Sequence, residues 1–404
     1  MSLRRKLWII ALVYVIEGFP MGVYGNVWPV FFRRNDVSLA EIGLLAGLSI
    51  AWSAKVLWSP LVDRFGERRR WIAGALLVMA ACLMLFLGAP AARIGALLWV
   101  AMTLYCVASA TQDIAIDAYT IGLVDRGEEG PANSVRVTAY RAGMIAAGGG
   151  LLFLPRWVGW NGTFAAAALA SAAMAAVVFV CPRVEVPPES RRDTFRSLRR
   201  WLDRPGVIPV AGFILLYRVG DRALGPMIHP FWVDRGFSNE EIATVSTTLG
   251  ALALVAGAIV GGLVVARTGI HRSLWILGLL ALASNLAYAV AAAVPESGAA
   301  GVYAASVVES FCGGLATAAF MSLLMRVCEK EHAAVQYALL TALYALAGSA
   351  VAMPSGALTE RLGYATYFAA TAVFALPAFA FLPGVRSWLE PDRVSVTPAA
   401  GGER

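Results

Sequence analysis

Twelve long apolar stretches divide the chain, over residues 7–32, 39–62, 71–88, 94–121, 133–155, 161–180, 207–233, 240–265, 273–294, 301–328, 333–358 and 364–382. Each approaches or exceeds the roughly 20 residues that an α-helix needs to cross the hydrocarbon of a bilayer. The runs are unbroken rather than short and alternating, which excludes a transmembrane β-barrel. Most connections are short, so no sizeable soluble domain fits between them. The pattern predicts an all-α membrane protein.

One connection differs from the rest. Residues 181–206 form a long polar linker near the middle of the 404-residue chain. The segments on either side echo each other. Pro29-Val-Phe-Phe-Arg-Arg-Asn-Asp-Val-Ser-Leu-Ala-Glu-Ile42 resembles Pro230-Phe-Trp-Val-Asp-Arg-Gly-Phe-Ser-Asn-Glu-Glu-Ile242, with Pro29 lying 201 residues before Pro230. A duplicated bundle with a binding site between its halves is transporter architecture. The expected organisation is a six-helix bundle over 1–180, a linker over 181–206, a second six-helix bundle over 207–385 and a tail over 386–404.

Composition agrees. Charged residues are 15% of the chain, against about 25% in soluble domains. Basic residues in the connections set orientation. With the N-terminus inside, 22 fall on the inner side and 6 on the outer, so both termini are expected in the cytoplasm of a multi-pass inner-membrane protein. The apolar run after Met1–Lys6 continues without a cleavage pattern and reads as a first span. The net charge of +7 is then a topology signal. The basic run 191–204 is expected to meet anionic lipid headgroups; nucleic-acid binding is not expected. Cys82, Cys106, Cys181, Cys312 and Cys328 show no metal spacing and read as packing residues. No cofactor or metal is expected, and the chain is expected to act as a monomer.

Ionisable groups inside spans are costly and mark function. The embedded cations are Lys55, Arg136, Arg141, Arg218 and Arg222; the embedded acids are Glu17, Asp113, Asp117, Asp221 and Glu309. They fall on the first, second, fourth, fifth, seventh and tenth spans. Asp113 and Asp117 share a helical face. Either one of them takes up and releases a proton, or Lys55, Arg136 or Arg141 neutralises them in a static pair; Glu17 and Glu309 are further proton candidates. Asp221 can neutralise one of Arg218 and Arg222, which leaves a guanidinium for an anionic or zwitterionic cargo. Arg141 follows Tyr140, a phenol–guanidinium pair suited to carboxylates. Arg136 is expected to snorkel from a helix end and is discounted.

A short basic turn follows the second span of each half. Asp63, Arg64, Gly66, Arg68 and Arg69 resemble the G-x-x-x-D-R-x-G-R-R signature of major facilitator permeases, and Arg267, Gly269 and Arg272 form a second copy in which Ala266 replaces the acid. In that family the turn holds the cytoplasmic gate closed. More specific stretches are Glu17-Gly-Phe-Pro20, Lys55 through Arg64, Gln112 through Ala118, Tyr140 through Met144, Leu216 through Asp221 and Glu309 through Gly314. On these the chain resembles the AmpG-type muropeptide permease branch, which also holds acetyl-CoA transporters and a group of siderophore importers. The resemblance implies a major facilitator fold of twelve transmembrane helices in two pseudo-symmetric bundles. It also implies proton-driven import of anhydromuropeptides. Carried over, Lys55, Asp113, Asp117, Tyr140, Arg141, Tyr217, Asp221 and Glu309 match branch motifs. Glu17 departs from the Gln or Ser frequent there, and the chain is shorter than typical muropeptide permeases, nearer the siderophore importers in size. A membrane-embedded enzyme would need a nucleophile–base or metal constellation within the spans, and His229, His271 and His332 supply none. A scaffold would not keep ten buried charges.

Overall fold

The computed structural model describes residues 1–64, 67–88, 93–125, 128–184, 201, 203–328 and 333–389. Most of the linker, the end of the tail, Gly66 and His332 therefore lie outside the described residues, as do the side chains of Asp63 and Arg64. The described chain folds into twelve helical spans without a strand. The first half holds α1 (Leu3–Arg34), α2 (Leu39–Ala54, resumed at Ser59–Arg64), α3 (Arg68–Met84), α4 (Ala96–Leu123), α5 (Glu129–Gly148, resumed at Gly150–Phe153) and α6 (Pro155–Val178). The second holds α7 (Val207–Leu216 and Val219–Asp234), α8 (Asn239–Thr268), α9 (Ile270–Ala293), α10 (Gly298–Val327), α11 (Ala333–Ala352 and Ser355–Leu362) and α12 (Tyr364–Leu389). Eight of the described spans are long and apolar enough to cross a bilayer without qualification. Large apolar side chains stay exposed on the surface, among them Leu97, Leu169, Ile208 and Ile259. In water such a surface would be an aggregation hazard; against acyl chains it costs nothing.

Several spans break where the sequence shows apolar continuity, and two of the breaks, in α2 and α7, carry basic residues. In α2 the helix tightens to a 3₁₀ turn over Lys55–Leu57, and Trp58 leaves helical geometry (φ −113°, ψ 0°). Pro60 has no N–H to bond back to residue 56, so the ladder fails there. In α7 the break falls at Tyr217 and Arg218, the latter at φ −108°, ψ 11°. Each break leaves a basic residue at mid-span, where a smooth helix would have turned it through a fixed angle.

Close helix crossings position the rest. α1 and α5 meet at Gly18 and Gly143: a Cβ on Gly143 would stand 2.1 Å from Val15 O, and one on Gly18 2.1 Å from Tyr140 O. Backbone-to-backbone approach of this kind is the use of small residues in membrane interfaces.

The two halves meet at one end. Arg33 at the end of α1 holds Asp234 at the end of α7 through Nε (2.5 Å) and Nη2 (2.8 Å), and Tyr364 Oη donates to the same carboxylate at 2.7 Å. Arg34 donates to Phe237 O and to Asn239 Oδ1 (3.1 Å). Ala40 N donates to Glu360 Oε1 (3.0 Å), and Ser49 and Ser349 share a 2.5 Å hydroxyl contact. Residues 33 and 234 differ by the same 201 positions as the two prolines of the repeat. The seal is thus an ion pair between repeat-equivalent positions, basic in one copy and acidic in the other. These described contacts join the halves at the end of the spans away from the chain termini.

Candidate functional site

In the first half the embedded charges converge. Tyr14 Oη donates to Asp117 Oδ1 at 2.8 Å, and Arg136 Nη2 reaches the same oxygen at 2.7 Å. The Arg136 guanidinium also lies over the Tyr14 ring, 4.9 Å from its centroid. Lys55 Nζ stands 3.4 Å from Asp113 Oδ2, carried there by the break in α2. Trp58 Nε1 donates to Thr111 Oγ1 at 3.0 Å, fixing the broken segment against α4. The two aspartates share a face, as their spacing predicts, yet each has its own cation. Glu17 is 7% exposed, and its Oε2 has no hydrogen-bond partner among the described residues.

Two adjoining cavities follow from this arrangement. One, of about 300 Å³, is lined by Tyr14, Glu17, Arg136, Val137, Tyr140 and Arg141. The other, of about 320 Å³, is lined by residues that include Asp117, Asn133 and Arg136. Arg136 borders both. The expectation that it only snorkels is corrected: α5 turns it inward, and Asp117 and Tyr14 engage it. Tyr14, absent from the sequence-based candidates, is the second addition. Its i,i+3 spacing to Glu17 was the available signal.

In the second half Arg218 Nε pairs with Asp221 Oδ2 at 3.0 Å, and Nη1 donates to Gly313 O at 2.8 Å. Glu309 lies beside the same glycine: a Cβ at Gly313 would be 3.8 Å from Arg218 Nη2 and 3.9 Å from Glu309 Oε1. Ser310 Oγ donates to Glu309 Oε2 at 3.3 Å. Arg222 is left without a carboxylate among the described residues. It is exposed at mid-span, donates from Nε to Tyr344 Oη at 3.1 Å and covers the Tyr344 ring at 4.9 Å. Asp221 therefore neutralises one arginine of the pair, as the spacing implies.

Tyr217 lies apart from the others. Its hydroxyl donates to Leu274 O at 3.1 Å, and its ring stacks on Phe320 with Phe213 and Phe379 around it. It belongs to the core of the second half. The turn residues separate as well. Arg68 and Arg69 are buried. Arg68 donates to Val62 O; Arg69 pairs with Glu67 and donates to Phe179 O (3.0 Å) and Cys181 O (2.5 Å), tying α3 to the end of α6. Arg267 and Arg272 are exposed, and Gly269 between them adopts φ 80°, ψ 160°, a conformation open to glycine.

The family model described as Major Facilitator Superfamily matches residues 10–352. An anhydromuropeptide permease of Escherichia coli (strain K12) is 32% identical over 402 residues, which span 96% of this chain and 81% of that protein. A putative transporter, AmpG 4 of Rickettsia conorii, is 26% identical over 93% of this chain and 95% of its own length. Among solved structures, a bacterial homologue of the human lysosomal transporter Spinster, in an inward-facing and unoccupied conformation, superposes with a TM-score of 0.77 at 17% identity, covering 96% of this chain and 98% of that one. The nucleoside transporter NupG gives 0.71 at 14% identity, covering 95% and 99%.

Proposed function

Because the chain belongs to the major facilitator superfamily, in its AmpG-type permease branch, we propose that this membrane transporter imports peptidoglycan-derived anhydromuropeptides across a bacterial inner membrane, driven by protons. The basic residues on the termini side orient it with both termini in the cytoplasm and the Arg33–Asp234 seal outside. Sealed there, the halves would part as a crevice on the cytoplasmic side.

The observation that carries the cargo reading is the guanidinium left over in each half. Arg141 beside Tyr140 borders the cavity of the first half, and Arg222 on Tyr344 faces out of the second. Peptide stems carry carboxylates, and a guanidinium fork grips a carboxylate through two parallel hydrogen bonds. The phenol rings beside both forks offer flat apolar surface to the rest of the cargo.

For the proton, the geometry favours Glu17. Asp113 and Asp117 are engaged by Lys55 and Arg136, whereas Glu17 is buried without an ion-pair partner among the described residues, where a bound proton removes an uncompensated charge. Asp117 and Arg136, bordering the cavity next to that of Glu17, lie on the route from the crevice.

The test is uptake of radiolabelled anhydromuropeptide, with a ferric siderophore as competitor, into proteoliposomes under an imposed proton gradient. Gradient-driven accumulation of the muropeptide is expected. It should vanish in Glu17→Gln and Asp117→Asn, with the proteins still folded. Uptake of the siderophore alone would overturn the cargo, and accumulation by Glu17→Gln would overturn the proton's seat.

A further inference from the structure

The starts of α3 and α9 are repeat-equivalent, and only the first has an acid, Glu67 at the N-cap of α3. Arg69 lies 203 residues before Arg272, and Glu67 the same distance before Ile270. In the first half Glu67 pairs with Arg69 and lies 3.8 Å from Arg70 Nε and 3.6 Å from Arg183 Nε. One carboxylate thus serves three guanidiniums and joins the start of α3 to the chain beyond α6. In the second half Ile270 stands where Glu67 does, and Ala266 where Asp63 does.

The cations of the second half remain. Arg272, Arg326 at the end of α10 and Arg386 on α12 line a cavity of about 720 Å³ together with His271, Trp275 and Leu389. No carboxylate is among its described lining residues, and neither Arg272 nor Arg326 has an ion-pair partner among the described residues. His271 Nε2 lies 3.3 Å from Leu382 O, so α9 and α12 already touch at the cavity's wall. Arg272 and Arg326, like charges beside open space, repel, and the first half shows what relieves such a pair: a negative group between them.

We infer that this cavity is a binding site for a phosphate-bearing anion, which takes in the second half the place that Glu67 fills in the first. Phosphate oxygens match guanidinium forks, and several arginines can share one phosphate. The N-terminus of α9 points N–H groups at the same place, where Gly269 has no side chain to accept them. The volume far exceeds a carboxylate and suits a phosphorylated small molecule or a lipid headgroup, with the Trp275 ring as an apolar wall. Once bound, the anion joins α9, α10 and α12 at the termini side, as Glu67 joins the first half.

The full chain, purified in detergent, tests this by thermal melting with inorganic pyrophosphate against chloride at matched ionic strength. A second arm melts it in nanodiscs of phosphatidylglycerol against phosphatidylcholine. A rise in melting temperature specific to the phosphate-bearing partner is expected in at least one arm. Pyrophosphate alone identifies a soluble ligand, phosphatidylglycerol alone a headgroup. Arg272→Gln/Arg326→Gln should weaken the response at least about tenfold in ligand concentration. Ile270→Glu, which installs the missing acid, should weaken it while raising the ligand-free melting temperature. Arg70→Gln in the first half should leave the response unchanged. A response equal to that of chloride and of phosphatidylcholine, or one that survives Arg272→Gln/Arg326→Gln, overturns the site.

Discussion

Replacing Asp234 with asparagine removes the charge from the seal and keeps its shape. In the structure this carboxylate accepts two hydrogen bonds from Arg33, across the halves, and one from Tyr364 within its own half. Both side chains of the pair are about one-quarter exposed, at 24% and 26%, so screening takes part of the gain. An exposed ion pair contributes about 0.2–1 kcal/mol, and hydrogen bonds to charged groups about 1.5–3 kcal/mol. The bidentate, partly shielded pair falls between, at roughly 1–2 kcal/mol by those figures. Because this contact exists only while the end is sealed, its loss shifts the ratio of sealed to open forms by roughly 5- to 30-fold. Nitroxide labels on cysteines at Arg156 and Glu296, both exposed and at the sealed end, report the opening by pulsed electron resonance in a cysteine-free background. Asp234→Asn should populate a longer distance, and the exchange Arg33→Asp/Asp234→Arg should restore the short one. An unchanged distribution in Asp234→Asn would mean that the pair does not hold the end closed, as would an exchange that opens the end further.

Gly143→Ala drives a Cβ into Val15 O and should cost about 1–3 kcal/mol, read as a lower melting temperature, whereas Gly74→Ala, with open space at its Cβ, should not lower it. Tyr217→Phe should leave the KM for uptake unchanged and cost about 1 kcal/mol of stability, while Tyr344→Phe should raise KM by releasing Arg222. Lys6 holds the carboxyls of Asp125 and Glu128 below the usual carboxylate range, first through its hydrogen bonds to them. Carboxylates lowered in the folded state contribute stability above their unfolded pKa and lose it as pH falls through the folded one. The gap in melting temperature between the parent and Lys6→Gln should therefore be full at neutral pH and close on acidification below pH ~4.

How much of this was legible in the sequence depends on what each feature needed. The twelve spans required only length and apolarity, and the Arg218–Asp221 pair only helical spacing. The partners of Asp113 and Asp117 required knowing how α2 and α5 rotate about their axes, and near-uniform apolar spans carry little information on rotation. Arg136 shows the difficulty: near a helix end, the same residue can snorkel or turn inward, and only the α1–α5 crossing at Gly18 and Gly143 decides. Tyr217 fell beside an unannounced break, and that break sends its ring into the core while Arg218 reaches Gly313. The break at Lys55 was foreshadowed by Pro60, a helix-breaking signal that a run of apolar residues masked. The empty acid positions Ala266 and Ile270 were readable from the repeat, but the cavity beside them was not.

If one crevice couples a proton to an anionic muropeptide, proton and solute must enter together, and both can be followed in one experiment. Purified protein in proteoliposomes, given anhydromuropeptide outside with no imposed gradient, should draw protons inward with the solute. The external medium then turns alkaline, and the change is absent in Glu17→Gln. Muropeptide entry without any such proton movement, or equal proton movement in Glu17→Gln, would contradict the account.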